Sequence, residues 1–181
     1  MSDRPGMTDA ARFEAFVREY QDLVFGTALR LVGNPTEAED VAQTVFLKAF
    51  ERFDAIGTSP SVPGWLKAVT RNLALNHLTR YRRRWQFFSE MAEADERDTP
   101  FAERLAAPEP DTLSADQAAA LERALAGLPD HQRVPLVLFH FDEMSYQSIA
   151  DTLGVSLGKV KTDIHRGRTA LRAVLSNSHD D

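Results

Sequence analysis

Cysteine is absent from the 181 residues, which excludes disulfide staples, thiolate metal sites and cysteine nucleophiles. Long apolar runs are absent too: no stretch approaches the ~18–20 residues needed to span a bilayer, so no membrane insertion is expected. Met1 to Gly6 has no apolar core of the kind a secretory signal requires. These absences fit a protein of the reducing cytoplasm. Strand-like alternation, internal repeats and a glycine-rich phosphate loop are all missing. The histidines, His77, His131, His140, His165 and His179, form no close ligand pair, and no acid–base–nucleophile set stands beside them. The chain is therefore expected to be no enzyme, with no catalytic residue, no metal site and no cofactor.

What the chain does have is an uneven distribution of charge. The net charge of −6 argues at first against a nucleic-acid partner. Residues 13–88 nevertheless carry 10 basic and 8 acidic side chains, and residues 121–175 carry 7 and 6. Between them, residues 89–120 carry 2 basic and 9 acidic side chains, so the acidity sits almost wholly in one middle segment. Two mildly basic blocks flank an acidic joint.

Both blocks read as helices. Phe13, Phe16, Val17, Tyr20, Val24, Ala28, Leu31 and Val32 recur at three and four residues, and Gly33 ends that helix. Asn34 is placed to cap the next helix, with Pro35 at its first position and Glu37 three residues after the cap. The apolar face of this second helix is Ala38, Val41, Ala42, Val45, Phe46, Ala49, Phe50 and Phe53. A loop is expected from Asp54 to Val62, and Pro63 starts a third helix with Trp65, Leu66, Val69, Leu73 and Leu78 inward. That helix runs into the basic cluster Arg80 to Arg84. Residues 89–117, with Pro100, Pro108 and Pro110 among many acids, read as a linker. The second block opens with a short helix near Ala118 to Leu125, and another follows from about His131 to Phe141. The expected fold class is all-α: two small helical domains, 13–88 and 118–175, joined by an acidic linker and flanked by tails 1–12 and 176–181.

The most informative stretch runs from Ser145 to Leu171. Ser145 caps a short helix that buries Ile149, Ala150 and Leu153, and Gly154 supplies a left-handed residue for a tight turn. Val155 fills the corner, Ser156 caps a second helix, and Leu157, Val160, Ile164 and Leu171 share one face of it. The pattern is a helix-turn-helix, whose second helix can lie in a major groove. Its outward face is expected to hold Lys159, Lys161, Thr162, His165, Arg166, Arg168 and Thr169. The competing view is a packed hairpin with a solvated basic face. Paired caps, a turn glycine and a small Ala150 at the helix crossing favour DNA.

These residues resemble a known family. Leu128-Pro129, Gln132-Arg133, Ser145-Tyr146 through Val160-Lys161, and His165-Arg166-Gly167-Arg168 look like region 4 of the sigma-70 family. Glu37 through Phe50, Gly64-Trp65-Leu66 and Arg71 through Leu78 look like region 2. Two domains in this order with a short linker resemble the extracytoplasmic-function group. The resemblance implies a sigma factor that binds core RNA polymerase, recognises minus-thirty-five and minus-ten promoter elements and promotes DNA opening. It also implies an anti-sigma partner, although no residue identifies one.

The resemblance carries roles to particular residues. Asp40, Gln43 and Leu47 share a face of the second helix and would dock on the polymerase clamp helices; an apolar Leu47 on a polar face suits a partner. Arg71, Asn72, Asn76 and Arg80 match minus-ten reading positions, with the 54–62 loop capturing a flipped base. Arg80, Arg82, Arg83 and Arg84 read as a phosphate clamp, and Trp65 as core. Ser156, Lys159, Lys161, Thr162, His165 and Arg166 would serve the minus-thirty-five element. Asp163 and Gly167 depart from the family's usual basic residue and alanine. Asp163 is expected either to repel a phosphate or to accept from a cytosine amino group, and Gly167 to weaken the recognition helix by about 1 kcal/mol. The acidic linker is either a solvated tether or a nucleic-acid mimic in the RNA-exit path. A regulator using the second block alone would leave Asp40, Gln43 and Leu47 unexplained. An adaptor binding only protein would leave the basic face unexplained.

Overall fold

The computed structural model describes residues 8–78 and 114–177, and every described element is a helix. The chain divides into two compact units between His77 and Leu78.

In the first unit, α1 (Asp9–Val32), α2 (Pro35–Glu51), α3 (Phe53–Ile56) and α4 (Val62–His77) follow in order. The three long helices pack against one another pairwise. The core is built from Val24, Ala28 and Leu31 of α1, Ala38, Val45 and Ala49 of α2, and Leu66 and Ala74 of α4. Two threonines join it without leaving a hydroxyl unsatisfied: Thr27 donates to the Leu23 carbonyl and Thr70 to the Leu66 carbonyl, each at 2.7 Å. The punctuation between α1 and α2 is as expected. Gly33 adopts φ 71°, donates its N–H to the Leu29 carbonyl, and is followed by Asn34, whose side chain accepts from the Glu37 N–H.

Four details differ from expectation. α1 begins at Asp9, before Phe13, because the Thr8 hydroxyl accepts from the Ala11 N–H and caps it. The buried face of α2 is narrower than its apolar sequence: Phe50 is 59% exposed, with its ring in a T-shaped contact with that of Phe13, ring centres 5.0 Å apart. In α4 the buried residues are Val62, Leu66, Thr70, Ala74 and Leu75, while Trp65, Val69 and Leu73 are half-buried. Trp65 is thus not fully core. The expected loop of residues 54–62 is shortened by α3, which closes at Gly57, where a Cβ would come within 2.8 Å of the Phe53 carbonyl.

The second unit comprises α5 (Ala115–Ala126), α6 (Asp130–His140), α7 (Tyr146–Leu153) and α8 (Leu157–Asn177). α8 is the spine, contacting the other three. A reciprocal cap between Ser114 and Gln117 starts α5 at Ala115, three residues before the expected Ala118. Arg133, only 3% exposed, pins the α5–α6 turn by donating to the Leu128 carbonyl at 2.8 Å and pairing with Asp130. The apolar core gathers Leu125, Val134, Leu138, Ile149, Leu153, Val160 and Ile164.

Candidate nucleic-acid interface

The α7–turn–α8 segment has the geometry its sequence predicts. The Ser145 hydroxyl accepts from the Ser148 N–H at 3.1 Å. Ile149, Ala150 and Leu153 are buried. Gly154 adopts φ 68° and donates to the Ala150 carbonyl at 2.8 Å; Val155, half-buried, donates to the same carbonyl. The Ser156 hydroxyl then accepts from the Lys159 N–H at 3.2 Å, starting α8 with a cap. This is a helix-turn-helix in geometry as well as in pattern.

On α8 the structure sorts the expected face into two sets. Lys161, Thr162, His165, Arg166 and Thr169 are exposed. Lys159 is not on the outer surface: its Nζ lies 2.7 Å from Asp163 Oδ2, and the two side chains are only 8% and 6% exposed. Asp163 occurs three residues after Val160 and immediately before Ile164, inside the packing seam. It is therefore turned away from the surface on which it would meet a phosphate or a cytosine. Burial raises its carboxyl above the ordinary range, and the Lys159 hydrogen bond and charge oppose that shift.

Arg168 is also turned inward. Its Nε donates to His140 Nε2 at 3.2 Å, and its guanidinium carbon stands 5.3 Å from the centre of the Phe139 ring. The Phe139 ring in turn stacks on Tyr146 at 4.7 Å. His140, lowered to about 4 by burial and then by the Arg168 charge, is neutral at physiological pH. Accepting at Nε2 leaves its proton on Nδ1. Arg168 thus ties α8 to the end of α6, and α6 to the start of α7.

In the first unit, Asp40, Gln43 and Leu47 are all exposed along one side of α2, and Leu47 is 66% exposed. Phe50, one turn beyond Leu47, extends this apolar exposure. On α4, Asn72 and Asn76 are exposed and Arg71 is half-buried. Trp65 precedes Asn72 by seven residues and Asn76 by eleven, so it lies on the same side as the asparagines. Helical period alone could have found that: the line of Trp65, Asn72 and Asn76 departs from the line of Val62, Leu66, Thr70 and Ala74. Arg80, Arg82, Arg83 and Arg84 lie outside the described residues, as does nearly all of the acidic linker. Among the described residues no group of three His, Asp or Glu side chains could hold a metal, and no helix is long and apolar enough to cross a membrane.

Fold and surfaces define a class: an all-helical, two-module protein in which one module presents a helix-turn-helix. Comparison with known proteins narrows it. Residues 16–84 match the model of sigma-70 region 2, and residues 118–171 match that of sigma-70 region 4. The chain is 31% identical over 170 residues to the ECF RNA polymerase sigma factor SigW of Bacillus subtilis, covering 92% of this chain and 90% of that one. It is 35% identical over 166 residues to the ECF RNA polymerase sigma factor SigE of Mycolicibacterium smegmatis, covering 91% of this chain and 62% of that one. A solved structure of the sigma factor RpoE with the anti-sigma factor NepR from Bartonella quintana aligns with 90% of this chain and 98% of that one, at 21% identity and a TM-score of 0.48. The chain belongs to the sigma-70 family of RNA polymerase sigma factors, in its extracytoplasmic-function group. It is a transcription-initiation factor that binds core polymerase and recognises promoter DNA.

Proposed function

We propose a division of labour between the two modules. The outward side of α2, with Asp40, Gln43 and Leu47, docks on the clamp helices of core polymerase. The side of α4 bearing Asn72 and Asn76, with Arg71 and the following Arg80, Arg82, Arg83 and Arg84, meets the minus-ten element. α8 reads the minus-thirty-five element through Lys161, Thr162, His165 and Arg166, with Ser156 capping the helix at its entry to the groove. Lys159 and Arg168 support that helix from within. The domains follow the same division, 13–88 and 118–175, with the intervening acidic segment as tether.

The chemistry follows from the residue types. Arginine and lysine can pair with guanine O6 and N7, threonine and histidine can meet base edges or phosphates, and asparagine can hold an extruded adenine. Extruding a base costs a few kcal/mol, which pocket contacts and phosphate pairing offset. Such a factor needs no catalytic residue of its own: it is not an enzyme, it works in the cytoplasm, and an anti-sigma factor restrains it.

The observation that carries this reading is the sorting of α8: the residues opposite its packing seam are polar or basic and exposed, and they emerge from a capped helix-turn-helix. The test is footprinting of holoenzyme on promoter DNA. Arg166→Ala is expected to lose about 1–3 kcal/mol of discrimination at one base pair of the minus-thirty-five element. Equal weakening on all sequences would make Arg166 a phosphate contact instead.

A further inference from the structure

α8 carries a charge pair where its packing seam should be apolar. The buried positions Val160, Asp163, Ile164 and Gly167 recur at three, four and seven residues, the spacing of one helix face. Asp163 is 5% exposed, and the Lys159 ammonium sits on it at 2.7 Å. Taking two charges out of water is costly, and their attraction offsets the cost only while the geometry holds. The charged groups that act on the carboxylate are Lys159 and Arg166 of α8 itself and His131 of α6. His131 in turn feels Asp163, Lys159, Arg166 and Asp130. Lys159 lies one turn before the carboxylate, and Arg166, which is exposed, lies one turn after it.

We propose that the Lys159–Asp163 pair is a positioning device for the DNA-reading face: it seats the first turns of α8 against α6 and holds Arg166 in register, so that it sets promoter preference without touching DNA. This rests on α8 being the minus-thirty-five reader. Both residues are on α8, so their bond moves with the helix. What depends on the seating is the surroundings of the two enclosed charges, among them His131 of α6, and a slide that a wholly apolar seam would tolerate leaves those surroundings unmatched. The pair is thus suited to selecting one seating among several of similar stability. It also withdraws Lys159 and Asp163 from the groove, leaving Lys161 and Arg166 as the cations of the first three turns that face outward.

The test uses holoenzyme assembled from the full chain and core polymerase, on a promoter library randomised at the minus-thirty-five element. Thermal unfolding and the salt dependence of promoter binding are measured alongside. Lys159→Met alone strands a buried carboxylate and lowers the melting temperature. Combined with Asp163→Leu, it removes both charges at similar volume and restores the melting temperature. The double variant is expected to change base preference about tenfold or more at one or more positions, with the salt slope unchanged. Lys161→Met is expected to reduce that slope by about 0.9. A double variant with both wild-type melting temperature and wild-type preference would overturn the proposal. So would a salt slope that falls with Lys159→Met, since Lys159 would then be a phosphate contact. If the double variant does not fold, Asp163→Asn decides in its place. Relaxed preference at the base that Arg166→Ala also relaxes supports the proposal, and unchanged preference overturns it. Wild-type holoenzyme that selects no minus-thirty-five sequence removes instead the reading on which the pair's role rests, and the wild type alone reveals that failure.

Discussion

His140 and Arg168 are two cation-forming side chains in contact, and burial decides which of them is charged. The arginine keeps its proton at any physiological pH, so the half-buried imidazole beside it stays neutral, at about 4 against an ordinary 6.5. A histidine lowered by folding is protonated in the unfolded chain first. Its contribution to stability is therefore fully present above pH 6.5 and is lost as pH falls through about 4. The urea midpoint should decline from pH 7 to pH 5, and His140→Gln, which keeps an acceptor for Arg168, should reduce that decline. An identical decline in the variant would place the acid sensitivity elsewhere. Single side chains were the hardest feature to read from the sequence. Lys159 and Arg168 looked like groove-facing cations because their type is basic, yet whether a long side chain reaches water depends on what stands beside it. Lys159 had Asp163 one turn later as a hint, and Arg168 had none, because His140 is 28 residues away.

Helices were far more legible than single side chains, because their ends carry local chemistry. Asn34, Ser145 and Ser156 cap as their residue types predict, and Gly33 and Gly154 take the left-handed backbone that their positions require. The two starts placed too late, α1 and α5, are set by Thr8 and by the Ser114–Gln117 pair, which lie ahead of the apolar periodicity. The seam of α8 was legible in spacing but not in content, since it includes an aspartate and a glycine. Gly167 is buried, and a Cβ there would lie 3.4 Å from the Gln132 carbonyl and 3.5 Å from Leu136 Cδ2, which is ordinary contact. Gly167→Ala is therefore expected to stabilise the second module by about 0.5–1 kcal/mol through helix propensity. A lower unfolding midpoint would instead mean that α6 and α8 must part to admit one methyl group.

Across the whole molecule, the net charge of −6 concealed two basic blocks on either side of an acidic segment. The all-helical, two-module architecture was legible because amphipathic periodicity marks each block and prolines with acids mark the joint. The apolar exposure of Leu47 was also legible, since a leucine broke an otherwise polar face, whereas that of Phe50 was not, because it continued the apolar stripe. In the proposed division of labour the first module is held by polymerase while the chain selects the promoter. Run-off transcription with purified core polymerase, across a concentration series of this protein, tests it most directly. Transcripts from a selected promoter should appear only when the protein is added. Leu47→Lys, which leaves the melting temperature unchanged, should require at least about tenfold more protein, a loss of about 1.4 kcal/mol. Core polymerase that initiates identically with and without the wild-type chain would contradict the account.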